Sequence, residues 1–136
     1  MSIKRAVYAW LGQQAGITAL AADRIWPEVI PSQDFDAATK RSCLVFSRDA
    51  VERTRTFCGT IPLVVSRVSI SSYARTYDAA EQLAQAVRAA LTDYRGAMGS
   101  VTVADVQLEQ DFDLMDLEPG LFRVDLVFAI WHTETL

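Results

Sequence analysis

Apolar and polar residues alternate along the chain with two different periods, and these periods predict its helices and strands. Over residues 2–14 apolar residues recur every three to four positions, which is typical of an amphipathic helix. A second stripe of this kind covers residues 79–94, and we expect a longer helix there, capped by Asp78 and ended by Gly96. A short helical turn is predicted at residues 18–22.

The other patterned segments alternate with a period of two, as strands with one buried face do. They lie at residues 43–46, 51–57, 61–73, 101–108 and 121–131. Small and apolar residues occupy every second position from Val64 to Ser72, which predicts a core face. We expect a bulge at Asp105. The second half of the last strand is apolar on both sides, so we expect it to be buried on both faces.

Connecting segments are predicted from proline, glycine and charge. Residues 27–41 are expected to be a loop because Pro27 and Pro31 lack an amide donor. Residues 58–60 are expected to form a turn and residues 111–118 a loop. The resulting order of elements predicts one α+β domain over residues 1–136, with an antiparallel or mixed sheet of about four to five strands. The N-terminal helix and the central helix are expected to pack on this sheet.

The composition agrees with a single soluble domain. A chain of 136 residues that is 51% hydrophobic can bury a core without a disulfide or a metal. The longest run without charge, residues 6–22, is too short and too polar to span a membrane. Lys4 and Arg5 precede an apolar stretch that is shorter than a signal peptide needs. We therefore expect the chain to stay in a reducing cytoplasm.

Few residues are suited to catalysis or metal binding. Cys43 and Cys58 are too few and too far apart for a zinc site. A thiol and imidazole pair with His132 is conceivable, but strand cysteines are usually buried and a terminal histidine usually lies at the surface. The acidic run fails the calcium-loop pattern because, with Asp111 as the first position, the sixth is Asp116 rather than glycine and the twelfth is Phe122 rather than glutamate. We expect no enzyme, cofactor or metal.

The net charge of −4 is divided into two opposed blocks. Residues 40–75 hold seven basic and two acidic residues, net +5, whereas residues 105–125 hold seven acidic and one basic, net −6. An acidic average disfavours nonspecific binding to nucleic acid or to an anionic membrane. Leu114 and Met115 give the acidic run the composition of a contact surface. Either the blocks meet between subunits, or they neutralise each other across strands within one subunit.

Four segments, taken together and in this order, resemble the tail-completion proteins of long-tailed bacteriophages, also called tail terminators. They are Ile-Trp-Pro at 25–27, Tyr-Ala-Arg-Thr-Tyr at 73–77, the helix of 79–94, and Leu-Phe-Arg-Val-Asp-Leu-Val-Phe at 121–128. The resemblance covers nearly the whole chain. Its motifs are structural, and none is a catalytic signature.

The resemblance implies a small α+β subunit that forms a six-membered ring on the last ring of the tail tube. This ring would stop polymerisation of the tube and provide the surface that joins the tail to the head. The implied partners are other copies of the chain, the tail tube protein and a head-completion or connector protein, while genome DNA passes through the lumen without specific binding. The implied location is the neck of the virion, with the host cytoplasm during assembly.

With this resemblance, the two charge blocks become candidate contacts between subunits or between rings. The candidate residues are Arg53, Arg55, Phe57, Asp111, Asp113, Leu114, Met115, Asp116 and Glu118. A small soluble α+β ligand-binding or regulatory domain remains the alternative function.

Overall fold

The computed structural model describes residues 3–21, 25–27, 43–56, 59–74, 76–99, 101–116 and 121–133. Within these residues the helices are α1 (Ile3–Gln13), α2 (Ala15–Ala21) and α3 (Tyr77–Leu91). The strands are β1 (Ile25–Pro27), β2 (Cys43–Thr56), β3 (Gly59–Ala74), β4 (Gly96–Met98), β5 (Val101–Asp116) and β6 (Leu121–Thr133).

All six strands belong to one sheet with the order β1-β2-β3-β6-β5-β4. β1 is parallel to β2, and every other neighbouring pair is antiparallel. The predicted α+β fold with a mixed sheet and helices packed on it is therefore confirmed. Four long strands form the body of the sheet, and the three-residue strands β1 and β4 lie at its two margins.

Both ends of α3 differ from the prediction. Thr76 is the N-cap, because its hydroxyl accepts a hydrogen bond from the Ala79 amide at 3.2 Å, so the prediction of Asp78 as the cap is wrong. Asp78 instead lies in the first turn, where its charge suits the helix dipole. The helix ends at Leu91 rather than at Gly96, which opens β4.

β2 joins two segments that the alternation predicted as separate strands. It pairs with β3 along its whole length, but the register shifts between Arg48 and Ala50 and again between Arg53 and Arg55. At the first shift β2 has one extra residue, which reverses the alternation of its side chains and so hides the continuity of the strand. At the second shift the extra residues belong to β3. The turn predicted at 58–60 begins outside the described residues, and β3 already starts at Gly59. Of the predicted loop 27–41, Pro27 lies in β1 and the rest lies outside the described residues.

β5 is also longer than predicted. The loop expected at 111–118 is wrong for residues 111–116, which pair with β6 from Asp111 opposite Leu126 to Asp116 opposite Leu121. Residues 117 and 118 lie outside the described residues. The bulge predicted at Asp105 is confirmed by a register shift between Val103 and Asp105. The strand can contain these charged residues because their side chains reach solvent at the margin of the sheet.

The three helices pack on one face of the sheet, which we call the helix face. Alternate strand residues on this face are buried against them, namely Leu44, Phe46, Val68, Ile70, Val124, Leu126, Phe128 and Ile130. The Trp10 indole donates a hydrogen bond to the Ala90 carbonyl at 3.2 Å and ties α1 to α3. No described helix is long and apolar enough to cross a membrane.

No described helix covers the opposite side of the sheet, which we call the open face. The burial predicted there for the second half of β6 holds for Ala129, which is 3% exposed. It is wrong for Trp131, which is 39% exposed, because the described helices all lie on the other side.

Candidate assembly surface

The predicted contact residues lie toward the two opposite margins of the sheet. Arg53 and Arg55 belong to β2, whereas the acidic candidates of residues 111–116, with Leu114 and Met115, belong to β5. β3 and β6 lie between these strands. The two groups are therefore not cross-strand neighbours within one subunit. Phe57 and Glu118 lie outside the described residues.

Asp111 lies at a helix-face register position, opposite Leu126, and is bound by α3. The Arg88 Nη1 atom donates to Asp111 Oδ2 at 2.8 Å, and the same guanidinium also binds the side chains of Glu81 and Gln85. The Arg88 side chain is only 16% exposed, whereas Asp111 is 42% exposed. This ion pair holds the central helix against the acidic half of β5.

Asp113, two residues further along the same face, is bound by the start of α3. The Tyr77 hydroxyl donates a hydrogen bond to Asp113 Oδ2 at 2.8 Å. This hydrogen bond, together with the negative charge of Asp113, raises the pKa of the Tyr77 phenol above its ordinary value. The Tyr77 ring also meets Phe122 edge-on, with 6.3 Å between ring centroids. Both central acids of β5 are thus held in fixed positions at the margin of the sheet.

The open face combines ion pairs with exposed aromatic rings. The Arg123 guanidinium lies 3.2 Å from Asp125 Oδ1 and donates to the Tyr73 hydroxyl at 3.2 Å. Phe112 and Trp131 are 43% and 39% exposed. Phe112 was missed as a surface residue because its segment was predicted to be a loop. Phe112 stands between Asp111 and Asp113, and this alternation was the signal of a strand whose aromatic ring lies on the face opposite to the acids.

Comparison with known proteins assigns the chain to a family. A family model described as "Tail completion protein gp17" matches residues 5–133. The chain belongs to this family. It is a structural protein of bacteriophage tails, and the resemblance found in the sequence is confirmed. No similar sequence was found among curated proteins.

A solved structure shares the fold of this tail-completion protein. It is a chain described as "Virion of native gene transfer agent (GTA) particle", which matches with a TM-score of 0.75. The two chains are 22% identical, and the match covers 97% of this chain and 95% of that one. At this identity the likeness shows a common fold.

The residues considered for catalysis are placed far apart in this tail-completion protein. His132 is paired with Val64 on β3, whereas Cys43 is paired with Tyr73, nine positions along the same strand, roughly 30 Å away. The pairing of Cys43 with His132 is therefore wrong, and Cys58 lies outside the described residues. Among the described residues no three His, Cys, Asp or Glu side chains are grouped so that they could hold a metal ion.

His132 also differs from the solvated residue that was expected. It is 5% exposed, its Nε2 atom lies 2.7 Å from Ser66 Oγ, and its Nδ1 atom lies 2.9 Å from the Thr133 carbonyl. A carbonyl can only accept, so Nδ1 carries a proton and donates it to the hydrogen bond with Thr133. The imidazole thus fills a buried polar position in the sheet.

Proposed function

We propose that this protein is the tail terminator: copies of it form a six-membered ring on the last ring of the tail tube, which stops polymerisation and provides the surface for head joining. The observation that carries this proposal is the family match over residues 5–133, which spans nearly the whole chain. The same likeness to a virion protein of a gene transfer agent supports a place in the particle.

The geometry of the candidate surface supports assembly. Arg88 of α3 binds Asp111 of β5, and Tyr77 of α3 binds Asp113 of β5, so these contacts fix the helix on the strand. A ring requires two different surfaces on each subunit, because each copy meets one neighbour through one surface and the other neighbour through the second. Such a pair is provided by the basic residues of β2 and the acidic residues of β5, which lie toward opposite margins of the sheet.

The proposed partners follow from this position in the particle. They are further copies of the chain, the tail tube protein below the ring and a head-completion or connector protein above it. Genome DNA would pass through the lumen, where a subunit of net charge −4 would not retain it. The protein would act at the tail-neck junction of the virion and be found in the host cytoplasm during assembly.

Tail tubes polymerised in the presence and absence of the purified protein test this function. We expect tubes of limited length, each with one added ring at its end, and a ring mass of six subunits by native mass measurement. Tubes that continue to grow without a terminal ring would contradict the proposal. A stable monomer that ignores tubes and gains thermal stability with a small molecule would instead indicate a ligand-binding domain.

A further inference from the structure

β5 has a long outer edge. Among the described residues, the cover on this edge lies at its first residues, where β4 pairs with Val101–Val103 and the Asp93 amide donates to the Val106 carbonyl at 2.9 Å. From residue 107 to residue 116, no strand among the described residues pairs with this outer edge. Unpaired strand edges present free amides and carbonyls and readily accept another strand.

β2 has a similar outer edge toward the opposite margin of the sheet. β1 pairs with β2 only at Leu44–Phe46. From residue 48 to residue 56, no strand among the described residues lies on the outer side of β2. We call these two segments the β5 edge (107–116) and the β2 edge (48–56). Both are long enough for a stable strand pairing, since a typical strand has about five or six residues.

The directions of the two edges suit each other. Three antiparallel pairings separate β2 from β5, so the two strands run in opposite directions. A second copy that continues the sheet in the same sense would therefore place its β2 edge antiparallel to the β5 edge of the first. β4 lies beside the Val103 end of β5, and β1 beside the Leu44 end of β2. The free edges thus occupy diagonal corners, and neighbouring copies would be staggered as strands are in closed sheets.

The charges of the two edges lie at positions on the same face. Asp111 and Asp113 are opposite Leu126 and Val124, which are buried on the helix face. On β2, Arg53 is paired with Val64, which has helix-face register on β3, and Arg55 follows two positions along the same strand. In one continuous sheet, the two arginines of one copy would be cross-strand neighbours of the two aspartates of the next. Opposite charges at such positions are mutually stabilising.

We infer that the β5 edge of one copy pairs in antiparallel fashion with the β2 edge of a second copy, with Arg53 and Arg55 beside Asp111 and Asp113. This inference rests on the proposed ring. The contacts from Arg88 and Tyr77 hold the two aspartates in position before the second copy arrives, which lowers the entropy cost of the pairing. The contact is head-to-tail, so repeated copies close into a ring if the rotation between neighbours brings the last copy back to the first.

Two complementary variants test the pairing. Variant A carries Arg53→Glu and Arg55→Glu. Variant B carries Asp111→Lys and Asp113→Lys. It also carries Arg88→Gln, because the Arg88 guanidinium of α3 would otherwise face the new lysine at position 111 of β5. Arg95→Glu, which reverses a 71% exposed arginine outside both edges, is the matched control. Sedimentation at a series of concentrations measures assembly, with and without tail tubes, and circular dichroism measures folding.

We expect wild type and the Arg95 control to form rings, and variants A and B, each alone, to need about tenfold or more protein for the same assembly. An equimolar mixture of A and B should form rings again, because every contact then joins an acidic edge to a basic edge. If variant B does not fold, Asp113→Lys replaces it and is mixed in turn with Arg53→Glu and with Arg55→Glu as single variants, so that the exchanged charges remain matched.

Rings formed by folded A or B alone at the wild-type concentration would overturn the pairing, as would a mixture of folded variants without rings. If wild type caps tubes while either result is seen, only the edge pairing fails. If wild type neither forms rings nor caps tubes, the proposed function fails with it.

Discussion

Arg67 of β3 and Glu109 of β5 form an ion pair, with 3.0 Å between Nε and Oε1, across the strand that separates them. Ala129 of β6 is paired with Arg67 in register, and its small side chain lets the two longer ones meet on the open face. This pair joins the basic block to the acidic block inside one subunit. The prediction that the two charge blocks neutralise each other within one subunit therefore holds for Arg67 and Glu109. Arg53 and Arg55, by contrast, are separated from the acidic residues of β5 by two strands.

This ion pair should contribute little to stability. Both side chains are about one-third exposed, at 32% and 35%, so solvent screens their attraction. A double-mutant cycle with Arg67→Ala and Glu109→Ala, measured by urea unfolding, should give a coupling of about 0.2–1 kcal/mol. The coupling should decrease in about 1 M salt, where charges are screened within a few ångströms. A coupling that is unchanged by salt would contradict an electrostatic origin.

Arg88→Ala should destabilise the subunit more strongly. Arg88 is 16% exposed and binds Asp111, Glu81 and Gln85, so its loss removes several charge-assisted hydrogen bonds and buried packing. We expect the free energy of unfolding to fall by about 1–3 kcal/mol in urea titration.

Arg95→Ala is the control for that measurement. Arg95 is 71% exposed, and its Nε atom lies 3.6 Å from Asp105. Its removal should change the free energy of unfolding by less than about 0.5 kcal/mol. Equal losses for the Arg88 and Arg95 variants would show that the contacts of α3 with β5 do not stabilise the subunit.

The period of the apolar residues predicted the helices and the core face of β3, because a single uninterrupted element has a single period. β2 and β5 were predicted in part only. β2 contains one extra residue opposite β3 and β5 contains two opposite β6, and each extra residue reverses which side chains face the core. The α3 cap was misassigned because Thr76 and Asp78 are both good N-caps, and the choice between them depends on where the backbone leaves β3.

The candidate site could be predicted only as two groups of opposite charge. Their positions toward opposite margins of the sheet depend on the strand order, in which β6 lies between β3 and β5. Such long-range pairing has no local signal in the sequence. The binding of Asp111 by Arg88 was missed for the same reason, since these residues meet only through the packing of α3 on the sheet.

Asp113→Asn should lower the pKa of Tyr77 toward its ordinary value. The Asp113 carboxylate accepts a hydrogen bond from the Tyr77 phenol, and its negative charge repels a phenolate. The neutral form of Tyr77 is therefore favoured in the folded protein. Since the folded pKa lies above the unfolded value, this contribution to stability is present below about pH 10 and is lost as pH rises through the folded pKa. Absorbance titration of phenolate measures the shift.

Tyr77→Phe identifies the Tyr77 component of that titration by difference, because other tyrosines also ionise at alkaline pH. The component assigned to Tyr77 should move to lower pH in the Asp113→Asn protein. An unchanged component would mean that the hydrogen bond does not persist in solution.

Phe128 and Phe112 offer a matched test of which face of the sheet is the core. Phe128 is fully buried on the helix face, whereas Phe112 is 43% exposed on the open face. Phe128→Ala should lower the free energy of unfolding by about 3–5 kcal/mol, because it leaves a cavity among packed side chains. Phe112→Ala should cost less, about 1–2 kcal/mol, since a large part of its surface stays in water on folding. Equal losses in urea unfolding would show that Phe112 is packed within the subunit, and the open face would then not be available to a partner.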